Sequence, residues 1–109
     1  MKIIVLGAGS FGTAIANELS LNPESKVVLF SSNKSKVKEI NSFHTNTSCF
    51  PNKILSKELK ASFEKSVISD ADIVLIALPS SIILEVLKDL KDYFKKETLF
   101  VNLSKGLFN

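Results

Sequence analysis

Across 109 residues, 45% hydrophobic and 23% charged, there is material for one packed core and too little for two lobes. One cysteine, Cys49, leaves no partner for an internal disulfide and no second thiolate for a metal site, which fits a reducing, cytoplasmic setting better than a secreted one. The net charge of +3 rests on fourteen lysines scattered along the chain with no arginine to clamp phosphates or bases, and the longest apolar run, Ile73 to Leu78, has six residues against the ~20 of a membrane-spanning helix, so neither nucleic acid nor a membrane is an expected partner.

Lys2 to Leu6 is an apolar run of strand length that feeds the stretch GAGSFGTAIA. After it, Phe11, Ala14, Ile15 and Leu19 recur at helical spacing on one face. Asn22-Pro23-Glu24-Ser25 marks a turn, Lys26 to Phe30 a second strand, Asn33 to Asn41 a second helix and Phe43 to Lys53 a polar loop. A weak third strand falls at Leu59 to Ser62 and a fourth at Asp72 to Leu78. Ser80 or Ser81 then caps a helix carrying Ile83, Val86, Leu87, Leu90 and Phe94 on one face, and Thr98 to Leu103 is the fifth strand. The first, fourth and fifth strands are apolar throughout, as strands covered on both faces are. This alternation predicts an α/β fold, a Rossmann-type doubly wound parallel sheet, and right-handed crossovers give the strand order 3-2-1-4-5. Such sheets go on to a sixth strand. The chain stops first, at Leu107-Phe108-Asn109, so residues 1–109 are expected to be one domain, incomplete, with no second domain.

The opening MKIIVLGAGSFGTAIA also resembles a signal peptide, with a lysine, an apolar stretch and small residues at Ala14-Ile15-Ala16. Three glycines would interrupt that hydrophobic stretch, and cleavage would remove the first strand of an otherwise complete pattern. The alternative reading uses every glycine. Gly7, Gly9 and Gly12 form G-x-G-x-x-G between an apolar strand and an amphipathic helix, the setting in which the pattern signifies a dinucleotide site. Gly7 allows the sharp turn, Gly9 leaves room for a pyrophosphate against the backbone, and Gly12 lets helix pack close on strand, while free N–H groups at the helix start hold the phosphates. Ser10 adds a hydroxyl and Phe11 a flat apolar cover.

The second strand of such folds usually ends in a carboxylate that accepts hydrogen bonds from the adenosine ribose. Here the chain reads Phe30-Ser31-Ser32-Asn33-Lys34, with no carboxylate between Glu24 and Glu39. FAD and S-adenosylmethionine, which lean on that carboxylate too, are disfavoured. A 2′-phosphate would meet no repulsion and would gain hydrogen bonds from Ser31, Ser32 and Asn33, with Lys34 adding charge. NAD(P)H is the expected cofactor, NADPH slightly preferred.

With these residues in view, the chain resembles the N-terminal domain of the NAD(P)-dependent glycerol-3-phosphate dehydrogenases from Lys2 to Leu107. GAGSFGTAIA is similar to that family's loop, and INSFHTNTSCFP to its Ile-Asn, His-x-Asn and Tyr-Leu-Pro pattern through Ile40, Asn41, His44, Asn46 and Pro51. ADIVLIALPS resembles its fourth strand running into Pro79-Ser80, and NLSKGL its fifth strand running into Lys105-Gly106. Cys49-Phe50 stand where Tyr-Leu is common, and Ser31-Ser32 where a basic or imidazole side chain often follows the second strand. The resemblance implies that Lys105, at the carboxyl end of the fifth strand, touches cofactor and substrate, where its ammonium would stabilise charge on the reacting oxygen. It also implies that the general acid and most of the substrate phosphate site come from a helical C-terminal domain, leaving no catalytic residue in this chain.

The remaining titratable groups suggest no further chemistry. His44 has no carboxylate or serine around it to make a triad or metal site and is expected to pack at the sheet's edge, and Asp70 and Asp72 flank the wrong end of the fourth strand and are expected to be solvated. The implied reaction is hydride transfer between NAD(P)H and dihydroxyacetone phosphate, giving sn-glycerol 3-phosphate. The residues leave open another reductase of this fold, of ketopantoate or hydroxy-acid type, or a stand-alone dinucleotide-binding or sensor module. Without a covering domain, apolar surface around the fifth strand would allow a homodimer.

Overall fold

The computed structural model describes residues 1–104. Lys105, Gly106 and Leu107, on which part of the substrate reading falls, lie outside the described residues. Five parallel strands form one sheet in the order β3-β2-β1-β4-β5, as expected. They are β1 (Lys2–Leu6), β2 (Lys26–Phe30), β3 (Lys60–Ser62), β4 (Ile73–Ile76) and β5 (Leu99–Asn102). The helices are α1 (Ser10–Leu19), α2 (Lys34–Phe43) and α3 (Ile83–Leu90).

Alternation along each strand divides the core between the two faces of the sheet. Ile3, Val5, Val27 and Leu29 pack with Ala16 of α1 and with Val37 and Ile40 of α2. Ile4, Leu6, Val28, Phe30, Val74 and Ile76 face the other way, onto Ile68 and Leu90, with Ile83, Val86, Leu87 and Phe94 alongside. Each fully buried branched side chain is worth about 1.5–3 kcal/mol, so β1, buried on both faces, is the centre of the fold.

Three expectations need correction. The buried face of α1 is Gly12, Thr13 and Ala16, not the row of Phe11 and Ala14, both of which are exposed. Close approach to the strand selects small side chains, and hydropathy does not report closeness. Neither Ser80 nor Ser81 caps a helix with its side chain: they lie in a 3₁₀ turn, Ser80–Ile82, closed by the Ile82 N–H on the Pro79 carbonyl at 3.1 Å. Finally, β5 is not covered on both faces, since all four of its residues are exposed. Among the described residues it is an edge strand, with only the β4 side paired. A second 3₁₀ turn, Lys65–Ile68, has no counterpart in the expected elements, although its Ile68 is fully buried.

Candidate dinucleotide-binding cleft

The chain leaves β1 at Gly7, whose N–H donates to the Phe30 carbonyl at 3.0 Å and whose φ of +112° lies where side chains are strained. A Cβ there would also stand 2.5 Å from the Ala77 carbonyl oxygen. At Gly12 a Cβ would overlap the Gly7 carbonyl oxygen, so loop and helix touch backbone to backbone. Gly9 differs from both: its backbone is extended and a Cβ would meet nothing within 4 Å. The space over Gly9 is therefore open, next to the first turn of α1, where backbone N–H groups have no partner within the helix. Among the described residues, no side chain caps that turn.

The loop is pinned through the Ala8 carbonyl. Asn46 Nδ2 donates to it at 3.1 Å and Lys36 Nζ at 3.0 Å, with Cys49 Sγ at 3.8 Å. Asn46 is fully buried and also bonds Thr13 Oγ1 at 3.0 Å, so one amide ties the loop to α1.

Above the loop opens a cleft of about 630 Å³ at the carboxyl ends of β1, β2 and β4. Gly7, Ala8 and Gly9 line its base, and Phe30, Ser31, Ser32, Asn33 and Lys36 one wall. Ala77, Leu78 and Pro79 line the other with Ile82, Glu85, Val86, Asp89 and Leu90. Ser31 Oγ accepts the Asn33 N–H at 3.1 Å and Asn33 Oδ1 accepts the Lys36 N–H at 3.1 Å, capping α2. Among the described residues each bond leaves the donor group free, the hydroxyl hydrogen of Ser31 and the amide NH₂ of Asn33.

Of the residues expected at a cofactor, Gly7, Gly9, Ser31, Ser32, Asn33 and Pro79 line this cleft. Ser10 and Phe11 stand exposed at the start of α1, outside its lining, and Gly12 lies buried below. Lys34 is turned away, its Nζ 5.1 Å from the centre of the Phe63 ring. Lys36 takes the place expected of Lys34. The signal was present in the pattern: with Asn33 as cap, Lys36 falls one turn before buried Ile40 on the inward face of α2.

The His-x-Asn stretch is scaffolding. Ile40 is a core residue, and Asn41 bonds both backbone groups of Ala61 in β3, at 2.9 and 2.8 Å. His44 ends α2 in the left-handed region, φ 57°, with its N–H on the Ile40 carbonyl and its own carbonyl accepting from Leu55, while Nδ1 is buried without a partner among the described residues. Glu39 holds the following loop by accepting from Thr45 Oγ1 at 2.7 Å and the Thr47 N–H at 2.8 Å; the Thr45 hydroxyl above all keeps its carboxyl below the usual range. No group of three or more potential metal-ligating side chains exists among the described residues. Ser104, the last described residue, is buried, its one hydroxyl hydrogen shared between the Leu78 carbonyl, just past β4, and the Ile76 carbonyl at the strand's end.

At the opposite end, Asp70 and Asp72 are paired rather than merely solvated. Lys2 Nζ lies 2.5 Å from Asp70, and Lys95 Nζ 2.9 Å from Asp72. They are residues of the sheet's amino edge, with no part in the cleft.

A parallel doubly wound sheet with a three-glycine turn under an open cleft defines a dinucleotide-binding domain of the Rossmann class. Residues 2–109 match the family described as NAD-dependent glycerol-3-phosphate dehydrogenase N-terminus, and the chain belongs to that family. A glycerol-3-phosphate dehydrogenase (NAD(P)+) of Bacillus subtilis (strain 168) is 36% identical over 107 residues, 97% of this chain and 31% of that protein. The crystal structure of glycerol-3-phosphate dehydrogenase from Coxiella burnetii superposes with a TM-score of 0.83 at 31% identity, over 93% of this chain and 31% of the other. A yeast glycerol-3-phosphate dehydrogenase from Saccharomyces cerevisiae gives 0.84 at 22% identity, over 94% and 33%, and shares the fold. The chain thus spans about a third of the length of the relatives it matches. The match does not favour a reductase of ketopantoate or hydroxy-acid type.

Proposed function

We propose that this chain is the cofactor-binding part of an enzyme that interconverts dihydroxyacetone phosphate and sn-glycerol 3-phosphate with NAD(P)H. The observation that carries the reading is the open backbone at Gly9, between two glycines whose positions exclude a Cβ, at the base of a cleft of about 630 Å³. That shape fits a pyrophosphate: flat backbone, unpaired N–H groups at the start of α1, and no carboxylate at the end of β2. Family membership over residues 2–109 supports the same assignment.

When bound, the nicotinamide supplies the hydride. The chain's own residues bind and orient. Gly9 and the first turn of α1 hold phosphate, Ser10 and Phe11 flank it, and Ser31, Ser32 and Asn33 donate to the adenosine ribose or its phosphate. Leu78, Pro79 and Val86 offer an apolar wall to the adenine, and Lys105, by resemblance, reaches the substrate. By resemblance, the general acid comes from a helical C-terminal domain. Domain bounds of 1–109, a cytoplasmic setting, a homodimer and a slight preference for NADPH belong to the same proposal.

The test is fluorescence titration of the 109-residue chain with NADPH and NADH, beside a Gly9→Val variant. Since a Cβ at Gly9 meets nothing, the variant should melt like the parent yet lose both cofactors. Unchanged affinity in the folded variant overturns the site. Adding dihydroxyacetone phosphate should give no sustained NADPH oxidation, and turnover that vanishes in Lys105→Ala would place a complete active site within these residues.

A further inference from the structure

Resting on the cofactor reading above, we propose that Lys36 is the specificity residue by which this chain reads an adenosine 2′-phosphate, and so distinguishes NADPH from NADH.

Position comes first. Lys36 lies in the wall formed by Ser31, Ser32 and Asn33 at the carboxyl end of β2, where the adenosine ribose rests in folds of this class. It is the only basic side chain lining the cleft among the described residues, while Glu85 and Asp89 line the facing wall. Lys36 is thus the one cationic side chain that the cleft, among the described residues, offers to an additional phosphate.

The ammonium is also held ready. Its bond to the Ala8 carbonyl at 3.0 Å fixes it beside the glycine loop and uses one of three N–H donors; Cys49 Sγ at 3.7 Å is a weak second partner. No carboxylate lies within 4 Å of it among the described residues. Glu39, three residues on, accepts from Thr45 and Thr47 and feels the Lys36 charge only as the least of its influences, and Asp89 pairs with Lys65 at 3.0 Å. A tethered cation with free donors costs little further entropy when an anion arrives. The Ser31 hydroxyl and Asn33 amide supply neutral donors beside it. A ribose 2′-hydroxyl, by contrast, gains little from a full positive charge. Lys34 is the natural control: two residues away, it has the same charge and faces the Phe63 ring instead.

The experiment measures NADPH and NADH affinity in the 109-residue chain and in Lys36→Met and Lys34→Met, with thermal melts to verify folding. Charge-assisted bonds of this kind make the expected loss of NADPH affinity in Lys36→Met about tenfold or more. NADH should change by less than about twofold, and Lys34→Met should leave both within that margin. Equal loss of both cofactors in Lys36→Met would mean that the lysine only props the Ala8 carbonyl, and loss of neither that it has no role; both overturn the proposal while leaving the dinucleotide site intact. Failure of the parent chain to bind either cofactor overturns the cofactor reading itself. A second measurement needs no variant: raising salt from roughly 0.05 to 0.5 M should shrink the parent's preference for NADPH, and a salt-independent preference contradicts a charge-based one.

Discussion

The two edges of the sheet are finished in opposite ways. At β3 the strand is three residues long, Leu55, Leu59 and Ala61 are buried around it, and the side chain of Asn41 occupies both outward backbone groups of Ala61. At β5 the strand is apolar and open: Leu99 is 58% exposed, Phe100 43% and Val101 36%. An unpaired, apolar edge invites another strand or surface, and natural proteins normally blunt it. The difference teaches that the β1–β2–β3 half is finished by residues within this chain. The β4–β5 half presents surface of the kind that associates.

Breaking the finished edge should have the larger effect. Asn41→Ala removes two hydrogen bonds from Ala61 and leaves its backbone to water, at a cost of about 1–2 kcal/mol measured by urea denaturation. An unchanged midpoint would mean the edge is held by burial of Leu55 and Leu59 alone. Blunting the open edge should cost little. Leu99 and Val101 stand in register with Ile73 and Leu75 and share their face, so Leu99→Lys puts a charge into an exposed apolar strip. Stability should move by no more than about 0.5 kcal/mol, while concentration-dependent association in sedimentation velocity falls. Association that persists unchanged would remove β5 from the interface.

These contrasts were partly legible in the sequence. Periodicity located β1 and β2 to the residue and gave the strand order, because branched apolar runs between turn residues have few alternatives in a parallel sheet. It overextended β4 to Leu78, since Ala77 and Leu78 are apolar for another reason: they follow the last residue of the strand and pass against the glycine turn, with the Ala77 carbonyl facing Gly7. The cleft was legible through its glycines and the polar residues after β2. Lys36 was missed because charge next to Ser31 pointed to Lys34; only the helix phase set by the Asn33 cap separates the two. Asn46 was legible as pattern but not as the post under Ala8, a contact across 38 residues that no local spacing reveals. The exposure of β5 was hidden because an apolar run reads the same whether or not something covers it.

Asp72 joins the two halves, and its titration offers the subtlest test. Its N–H donates to the Lys2 carbonyl at 2.9 Å, its Oδ2 accepts the Lys2 N–H at 2.8 Å, its carbonyl accepts from Leu99 at 2.9 Å and its Oδ1 meets Lys95 Nζ at 2.9 Å. One residue thus touches the first residues of β1 and β5 together. The Lys2 N–H first, then Lys95, hold its carboxyl below the usual range, and Asp72 in turn raises Lys95. A carboxyl whose acidity is greater in the folded state stabilises the fold above the ordinary carboxylate range, and this contribution disappears as pH falls through the lowered value. The Lys95 contribution is present at neutral pH and is lost only in strong alkali, above its raised value. Both groups are partly exposed, so Asp72→Asn, which keeps an acceptor for the Lys2 N–H, should change neutral stability little. The difference belongs to the acid limb: below about pH 4 the parent should lose stability more steeply than the variant, with Asp70 on Lys2 and Glu39 on Thr45 supplying slope that remains. Salt near 0.5 M should diminish the Lys95 share and spare the backbone bond, because screening acts on the pair of charges. If parent and variant follow one pH curve, charge does not fasten the open half to the finished one, and packing of Val74 and Ile76 against Ile4 and Leu6 is what keeps β4 in the sheet.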